Sequence, residues 1–177
     1  MKLNVGSGHP KGVYCEPEWV NIDSAAKGLI DEDKGVFSLS VLEMPNIWTD
    51  KFETVHCIHM LEHMNRNFRQ QVFDQLYRVT APGGTLFLEV PNFQRIVQLL
   101  HEAYITNDLE KVHVWKTSIY GKQRYDGDAH HWGFDESHLQ ELAKIAGFQK
   151  YETTADPEQM VSRHHKHEPV ILLVATK

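Results

Sequence analysis

The first residues that could do chemistry are the glycines of a short turn near the start of the chain. Gly6-Ser7-Gly8 directly follows Leu3-Asn4-Val5, a run with the length and pattern of a buried strand. Glycine lets the backbone approach a ligand closely, because it carries no Cβ. Asp23 ends a second apolar run, and its carboxylate can accept two hydrogen bonds from ribose hydroxyls. These residues predict a site for a nucleotide-like cofactor.

A second group of reactive side chains lies in the run His59-Met60-Leu61-Glu62-His63. If this run begins a helix, His59, Glu62 and His63 share one face, because residues three and four apart are neighbours. Imidazoles and a carboxylate can transfer protons or bind a divalent metal ion. We expect Glu62 and His63 to face the acceptor of a reaction. A metal held by His59, Glu62 and His63 is the less favoured use.

Histidines also stand in two later parts of the chain. His131 belongs to a polar and aromatic loop, and such loops collect substrate-binding residues. We therefore predict a catalytic role for His131. Tyr120, Gln123 and Trp132 would frame a ring or a sugar, and packing of His131 and Trp132 onto the sheet is the alternative. The run His164-His165-Lys166-His167 predicts a solvated turn rather than a zinc site.

Strands and helices must bring these distant residues together. The apolar pattern predicts strands at 3–5, 19–23, 35–39, 52–58, 85–90, 148–153 and 170–176. It predicts helices at 67–79, 92–103 and 135–146, with an irregular stretch at 104–134. Two helical stripes are predicted as core: Phe68, Val72 and Leu76, and Leu139, Leu142 and Ile145. Alternating strands and helices indicate an α/β, doubly wound, mostly parallel sheet, which binds ligands at the carboxyl ends of its strands.

Length and composition limit the class of protein. The chain has 177 residues, of which 41% are hydrophobic, and a net charge of −6. These values predict one domain over 1–177 and disfavour a nucleic-acid partner. No run predicts a membrane span or a signal peptide, and Cys15 and Cys57 are too few for a disulfide framework. We expect a cytoplasmic monomer or homodimer with no membrane partner.

Four stretches, in this order, carry a resemblance to a known family. They are Leu3-Asn4-Val5-Gly6-Ser7-Gly8, Trp19-Val20-Asn21-Ile22-Asp23, Met60-Leu61-Glu62-His63 and Leu76-Tyr77-Arg78-Val79-Thr80-Ala81-Pro82-Gly83-Gly84. They resemble the class I S-adenosylmethionine (SAM)-dependent methyltransferases, and within these the methyltransferase type 11 group. The resemblance continues through 119–123, 131–134 and 139–148, and so covers nearly the whole chain. It implies a Rossmann-like sheet whose last strand is antiparallel.

The resemblance also implies a role for each matched residue. The glycine turn would hold the methionine part of SAM, and Asp23 would hold the ribose. The His59 backbone would lie near the sulfonium, and other positions would line the adenine pocket. The implied cofactor-binding residues are Gly6, Ser7, Gly8, Asp23, Ser24, Val41, Leu42 and His59. Residues 93–134 are expected to form a lid on the acceptor side, because no covering helices precede the first strand.

The chain departs from the family pattern at several points. Relatives often place an acid against the adenine amine, where this chain has Ser40 or Glu43. The stretch before Trp19 is rich in proline and glycine, which predicts a first helix that is short or absent. Some relatives bind a metal through Glu-x-x-Glu-His, and His59 replaces the first of those glutamates here.

The resemblance therefore predicts transfer of a methyl group from SAM to an oxygen or nitrogen of a small-molecule or sugar-like acceptor. Glu62, His63 and His131 are the expected catalytic residues. One alternative is a binding or assembly subunit that keeps the fold without turnover. Another is a nicotinamide-dependent reductase, which is disfavoured because Lys11 stands where the dinucleotide pattern needs its third glycine.

Overall fold

A computed structural model describes residues 1–8, 18–24, 35–162 and 168–177 of the chain. Within them, seven strands form one sheet. They are β1 (Lys2–Val5), β2 (Val20–Ile22), β3 (Val36–Phe37), β4 (Phe52–Ile58), β5 (Thr80–Pro91), β6 (Lys150–Thr154) and β7 (Val170–Thr176). The predictions for the first helix, for Cys15 and for His164, His165 and His167 lie outside the described residues.

The strand order is β3-β2-β1-β4-β5-β7-β6. All neighbours from β3 to β5 pair in parallel, whereas β7 runs antiparallel to both β5 and β6. This topology confirms the predicted Rossmann-like α/β fold with an antiparallel last strand. The chain moves outward from β1 to β3 and returns to β4 on the other side of β1. The gap beyond β1 and β4 is therefore the switch point at which such sheets bind ligands.

Four α-helices flank the sheet in the described part of the chain: α1 (Arg69–Val79), α2 (Phe93–Ile105), α3 (Leu109–Tyr120) and α4 (Glu136–Ala146). Short 3-10 helices occupy Val41–Glu43, Asn46–Trp48, Leu61–His63, Arg66–Phe68 and Pro157–Gln159. Asn92, Asp108 and Asp135 cap α2, α3 and α4, because each side chain accepts a hydrogen bond from an amide of the first turn. None of these helices is long and apolar enough to cross a lipid bilayer.

The prediction of an irregular stretch over 104–134 is wrong, because α3 fills most of its first half. Only Val112 of α3 is buried. The helix therefore lacks the wide apolar stripe that indicates an amphipathic helix in a sequence. The cap at Asp108 is the local feature that marks its start, since the carboxylate accepts a hydrogen bond from the Lys111 amide at 3.1 Å.

The core lies between the sheet and the helices α1 and α4. Buried apolar side chains on these helices are Val72, Phe73, Leu76, Val79, Leu139, Leu142 and Ala143. Two members of the predicted stripes are not core: Phe68 is 42% exposed and Ile145 is 62% exposed. Phe68 precedes the first turn of α1 and Ile145 lies in the last turn of α4, so neither residue reaches the sheet. Cys57 of β4 is buried as a free thiol, and burial raises its pKa.

Candidate active site

A cavity of about 490 Å³ opens at the carboxyl edge of the sheet, beyond the ends of β1, β2 and β4. It occupies the switch point described above. Every predicted site residue lines it except Ser7, Leu42 and His131. The structure brings together residues from four separate stretches of the chain: Gly6, Gly8, Asp23, Ser24, Val41, His59, Glu62 and His63.

The glycine turn after β1 requires its glycines. Gly6 and Gly8 have φ angles of 75° and 82°, in the left-handed region that other residues rarely adopt. A Cβ on Gly6 would lie 2.6 Å from the Cβ of Met60. The amides of Gly6 and Ser7 both donate to the carbonyl of Ile22, at 2.9 and 3.1 Å. The turn is therefore fixed to β2, and its backbone forms one wall of the cavity.

Asp23 follows β2, beside this turn. Its Oδ2 accepts a hydrogen bond from the Gly8 amide at 2.8 Å. Its amide donates to the Phe37 carbonyl at 3.1 Å, which extends the hydrogen bonding between β2 and β3 by one residue. The carboxylate is therefore held at the cavity wall, and a carboxylate is a hydrogen-bond acceptor for hydroxyl groups.

The segment after β3 forms the next part of the wall, through Leu39, Ser40 and Val41. The Ser40 hydroxyl accepts a hydrogen bond from the Leu42 amide at 3.2 Å and so caps the 3-10 helix Val41–Glu43. Leu42 packs against the hydrophobic core instead of lining the cavity. Of the two polar candidates near an adenine amine, Ser40 lines the cavity and Glu43 does not.

The run that follows β4 does not begin an α-helix, in contrast to the prediction. His59 has a left-handed backbone with φ of 50°, and its amide donates to the Glu89 carbonyl on β5 at 2.9 Å. Only Leu61–His63 is helical, as one 3-10 turn. This geometry turns Glu62 inward, so that the residue is 1% exposed, and it leaves His63 half-buried at the cavity.

His59 and Glu62 form a buried pair, in which the Nδ1–H of His59 donates to Oε1 of Glu62 at 3.2 Å. Burial opposes charge on His59, but the hydrogen bond and charge of Glu62, with the charge of Glu89, raise its pKa above the ordinary value. Burial likewise opposes charge on Glu62, but the hydrogen bond and charge of His59 lower its pKa. Both effects favour an imidazolium–carboxylate pair.

Glu62 belongs to a second group as well, because its side chain lies close to those of His63 and His130. Each offers one ligand atom, and the three atoms lie within 4.8 Å of one another. The rings of His63 and His130 meet edge to face, with centroids 4.8 Å apart. His63 Nδ1 lies 3.2 Å from the Ala129 carbonyl, and His130 Nδ1 lies 2.9 Å from the Ser118 carbonyl. A carbonyl oxygen only accepts, so both Nδ1 atoms carry hydrogen, and each neutral ring keeps its lone pair on Nε2.

Gly121, directly after α3, allows the chain to return and place His130 in the cavity. Its φ angle is 76°, and a Cβ there would lie 2.3 Å from the Asp128 carbonyl and 2.9 Å from the His130 amide. The His130 amide donates to the Tyr120 carbonyl at 3.0 Å. The loop between Gly121 and His130 therefore closes tightly on the end of α3.

An ion pair holds the same loop together. Arg124 donates from Nε and Nη2 to the two carboxylate oxygens of buried Asp128, at 3.0 and 3.1 Å. The hydrogen bond with Arg124 lowers the pKa of Asp128 to about 2. Between them, Tyr125 lines the cavity, where burial and then the charge of Asp128 raise its pKa. Asp23, at the end of β2, lines the same cavity as Tyr125.

His131 does not line the cavity, and its side chain is exposed, so its position does not support the predicted catalytic role. Its amide donates to the Glu62 carbonyl at 2.8 Å, which fixes the backbone there and turns the neighbouring His130 inward. Tyr120, Gln123 and Trp132 do not line the cavity either. Trp132 packs against the core, with the Arg69 guanidinium 4.8 Å from its ring centroid. Packing onto the sheet was the predicted alternative to a substrate-binding role for His131 and Trp132, and Trp132 packs in this way.

The comparison with known families now decides the class of protein. The sequence profile of a family described as a methyltransferase domain matches residues 9–153, most of the chain. The chain belongs to the methyltransferase domain family. It is a class I SAM-dependent methyltransferase, as the sequence resemblance indicated. No curated protein sequence matches the chain.

Solved structures of methyltransferases share this fold. A SAM-dependent methyltransferase from Thermotoga maritima, described as a possible histamine N-methyltransferase, has a TM-score of 0.62 at 14% identity, with 99% of this chain and 81% of that chain covered. Burkholderia thailandensis 1,6-didemethyltoxoflavin-N1-methyltransferase has a TM-score of 0.57 at 13% identity, with coverages of 99% and 70%. Human N-acetylserotonin methyltransferase has 0.58 at 11% identity, with coverages of 99% and 47%.

The cavity fits the cofactor of this methyltransferase. The glycine turn presents backbone to the cavity at Gly6 and Gly8. The Asp23 carboxylate suits a ribose diol, and Val41 is an apolar surface for a flat base. The residues that would hold SAM are Gly6, Gly8, Asp23, Ser24, Ser40 and Val41. Bound SAM supplies an electrophilic methyl group.

Several further residues that line the cavity were not predicted as site residues from the sequence. They are Met60, Met64, Ile96, Thr117, Ser118, Tyr125 and His130. Thr117 and Ser118 lie on α3, which was not predicted. His130 is adjacent to the predicted His131, and the pair of histidines was the signal that could have found it. The choice between the two depends on backbone direction, which the sequence does not contain.

Proposed function

We propose that this methyltransferase transfers the methyl group of SAM to an oxygen or nitrogen of a small polar acceptor, bound between Glu62, His63 and His130. The observation that carries the proposal is the continuity of the cavity. One space of about 490 Å³ runs from Asp23 to His130, and because it must hold the cofactor as well, the room left for an acceptor suits a small group. The names of the Burkholderia and human proteins, each of which specifies a small-molecule acceptor, support this size class.

The lining of the far end supports a polar acceptor, such as a sugar-like ring. Thr117 and Ser118 offer hydroxyl groups there, beside Glu62 and the two imidazoles. Ile96 and Met64 provide apolar surface against which a ring can pack. A mixed lining of this kind orients a ligand through a few polar groups while apolar contacts exclude water.

Methyl transfer requires the acceptor lone pair to point along the carbon–sulfur bond. The side chains of the chain therefore have two tasks, which are to orient the acceptor and to manage its proton. The Nε2 lone pairs of His63 and His130 can accept a hydrogen bond or a proton from the acceptor. Glu62, held by His59, stabilises positive charge that develops on either ring. Residues 93–134 cover this end of the cavity and exclude water during transfer.

The first experiment measures SAM binding by calorimetry and turnover by release of S-adenosylhomocysteine with a panel of polyols, phenols and amines. Asp23→Ala removes two charge-assisted hydrogen bonds, so we expect SAM binding to weaken by about 100-fold. Asp74→Ala, an exposed aspartate on α1, is the matched control and should bind SAM normally.

The outcomes separate the alternatives. Normal SAM binding by Asp23→Ala would contradict the cofactor placement. Tight SAM binding with no release on any acceptor would favour a binding or assembly subunit. Release with only high-molecular-mass acceptors, such as protein or RNA, would contradict the small-molecule class.

A further inference from the structure

Glu62, His63 and His130 have the composition of a metal site. One carboxylate and two imidazoles offer three ligand atoms within 4.8 Å of one another. Glu62 and His63 come from the 3-10 turn after β4, whereas His130 comes from the loop after α3. All three line the cavity, so further coordination positions would face a ligand within it. Two histidines and one carboxylate are a donor set used for first-row divalent metals.

Both imidazoles are already oriented as metal ligands are. His63 and His130 each direct Nδ1–H to a backbone carbonyl, of Ala129 and Ser118 respectively. Metal-binding histidines usually donate their second ring N–H in this way, which fixes the tautomer and leaves the other nitrogen for the ion. Protein groups therefore occupy the Nδ1 side of each ring and leave the Nε2 side to a ligand.

Glu62 provides an independent observation. The residue is 1% exposed, and its Oε2 has no hydrogen-bond partner within the described residues. A buried carboxylate oxygen without a partner is costly, since it has lost its water and gained nothing in return. The other oxygen is bound by His59 at 3.2 Å, which fixes the carboxylate from behind. The free oxygen belongs to a residue of the cavity wall, beside His63 and His130.

We propose that Glu62, His63 and His130 bind one divalent first-row metal ion, such as Mn²⁺, Co²⁺ or Zn²⁺, at the acceptor end of the cavity. His59 is a positioning residue that orients Glu62. The set differs from the predicted one, in which His59 was a ligand. The proposal deepens the proposed function, on which it rests. With the ion bound, the Nε2 lone pairs of the two imidazoles are metal ligands rather than proton acceptors, and the cation instead lowers the pKa of a hydroxyl group that reaches it, which favours an oxygen acceptor.

The test uses the full chain, stripped with a chelator and titrated with Co²⁺ while its visible absorption is recorded. We expect one equivalent to bind with the spectrum of a nitrogen and oxygen site. Glu62→Gln, His63→Gln and His130→Gln should each weaken binding by at least about 100-fold, and His59→Gln by about tenfold. His131→Gln is the matched control, because that histidine is adjacent and exposed, and it should bind Co²⁺ normally. Thermal melting of each variant without metal checks that it folds.

Two further measurements make the result decisive. A variant with His164, His165 and His167 replaced by glutamine should bind Co²⁺ as the wild type does. Loss of Co²⁺ binding in this variant would place the metal at the 164–167 run instead of the proposed site. Asp23→Ala should bind Co²⁺ normally although its SAM binding fails, so failure of the metal site and failure of the proposed function are distinguishable. Absence of Co²⁺ binding, or equal binding by wild type and a folded His130→Gln, would overturn the proposal.

Discussion

The two ends of the cavity are built in different ways. The cofactor end consists mainly of backbone and one carboxylate, which follow β1 and β2 directly and are fixed to the sheet by the Ile22 and Gly8 hydrogen bonds. The acceptor end consists of side chains, and it exists only because the loop after α3 brings His130 to Glu62. The comparison indicates that the proposed cofactor end depends mainly on turns that directly follow neighbouring strands, whereas the proposed acceptor end depends on the packing of a distant segment.

The strongest test of this difference is Glu62→Gln. The variant removes the charge that holds His59 and faces the two other imidazoles, so we expect kcat to fall by about 1000-fold. SAM affinity should not change, because the glycine turn and Asp23 are untouched. Steady-state kinetics and calorimetry on one preparation measure both. Glu141→Gln, at an exposed glutamate on α4, is the control. If Glu62→Gln lost SAM affinity as well as kcat, the two ends of the cavity would not be independent.

Gly121→Ala tests the loop without altering any reacting group. Its Cβ would meet the Asp128 carbonyl at 2.3 Å, so the loop must shift and carry His130 with it. A displacement of about 1 Å lowers kcat/KM for the acceptor by up to about 100-fold. Glu110→Ala changes an exposed position of α3, the helix that precedes the loop, and should keep full activity. If Gly121→Ala behaved like Glu110→Ala, the loop would not be needed to assemble the acceptor end.

Gly6→Ala probes the cofactor end through its backbone. The substitution combines left-handed strain with a collision against Met60, so we expect a loss of about 3 kcal/mol in the free energy of unfolding. Gly83→Ala is the matched control, because its φ of 77° is equally left-handed but nothing lies within 4 Å of the added Cβ. Its loss should be about 1 kcal/mol, from strain alone. Urea unfolding of both variants gives the comparison, and equal losses would show that the collision is relieved.

The smallest effect concerns β4, the strand that both ends share. Burial, with a contribution from Lys2, lowers the pKa of His56 to about 4, while the unfolded value stays near 6.5. The unfolded chain therefore binds a proton first as the pH falls, and stability present above pH 6.5 decreases toward pH 4. Because His56 is only partly buried, we expect a contribution on the order of 1 kcal/mol. His56→Gln should unfold with a shallower pH dependence over this range, and an unchanged slope would exclude His56 as a source.

The sequence was sufficient for the sheet, and most of the positions that the resemblance assigned to the cofactor lie at one cavity, all except Ser7 and Leu42. Strand patterns, the glycine turn and Asp23 are local features, and each follows from residues adjacent in the chain. The fold class is confirmed, while the roles of individual site residues stay predictions. The backbone at His59 could not be predicted, because its left-handed turn is held by the Glu89 carbonyl of another strand.

The acceptor end was harder to predict for a related reason. Its assembly depends on α3, which presents only Val112 to the interior and so carries little periodic signal. The sequence pointed to His131, whereas the structure places the neighbouring His130 at the cavity, where the backbone is held by the hydrogen bond from the His131 amide to the Glu62 carbonyl. Such contacts join residues about seventy positions apart, and composition or spacing does not encode them.

The hydrogen bonds from the two imidazoles to backbone carbonyls link the orientation of the rings to the position of one segment of the chain. Ser118 and Ala129, which hold the rings of His130 and His63, both belong to residues 93–134, the predicted lid. If that segment moved aside to admit an acceptor, it would also release the two rings from their orientation. An open enzyme would then keep its methyl donor without an assembled set of catalytic side chains.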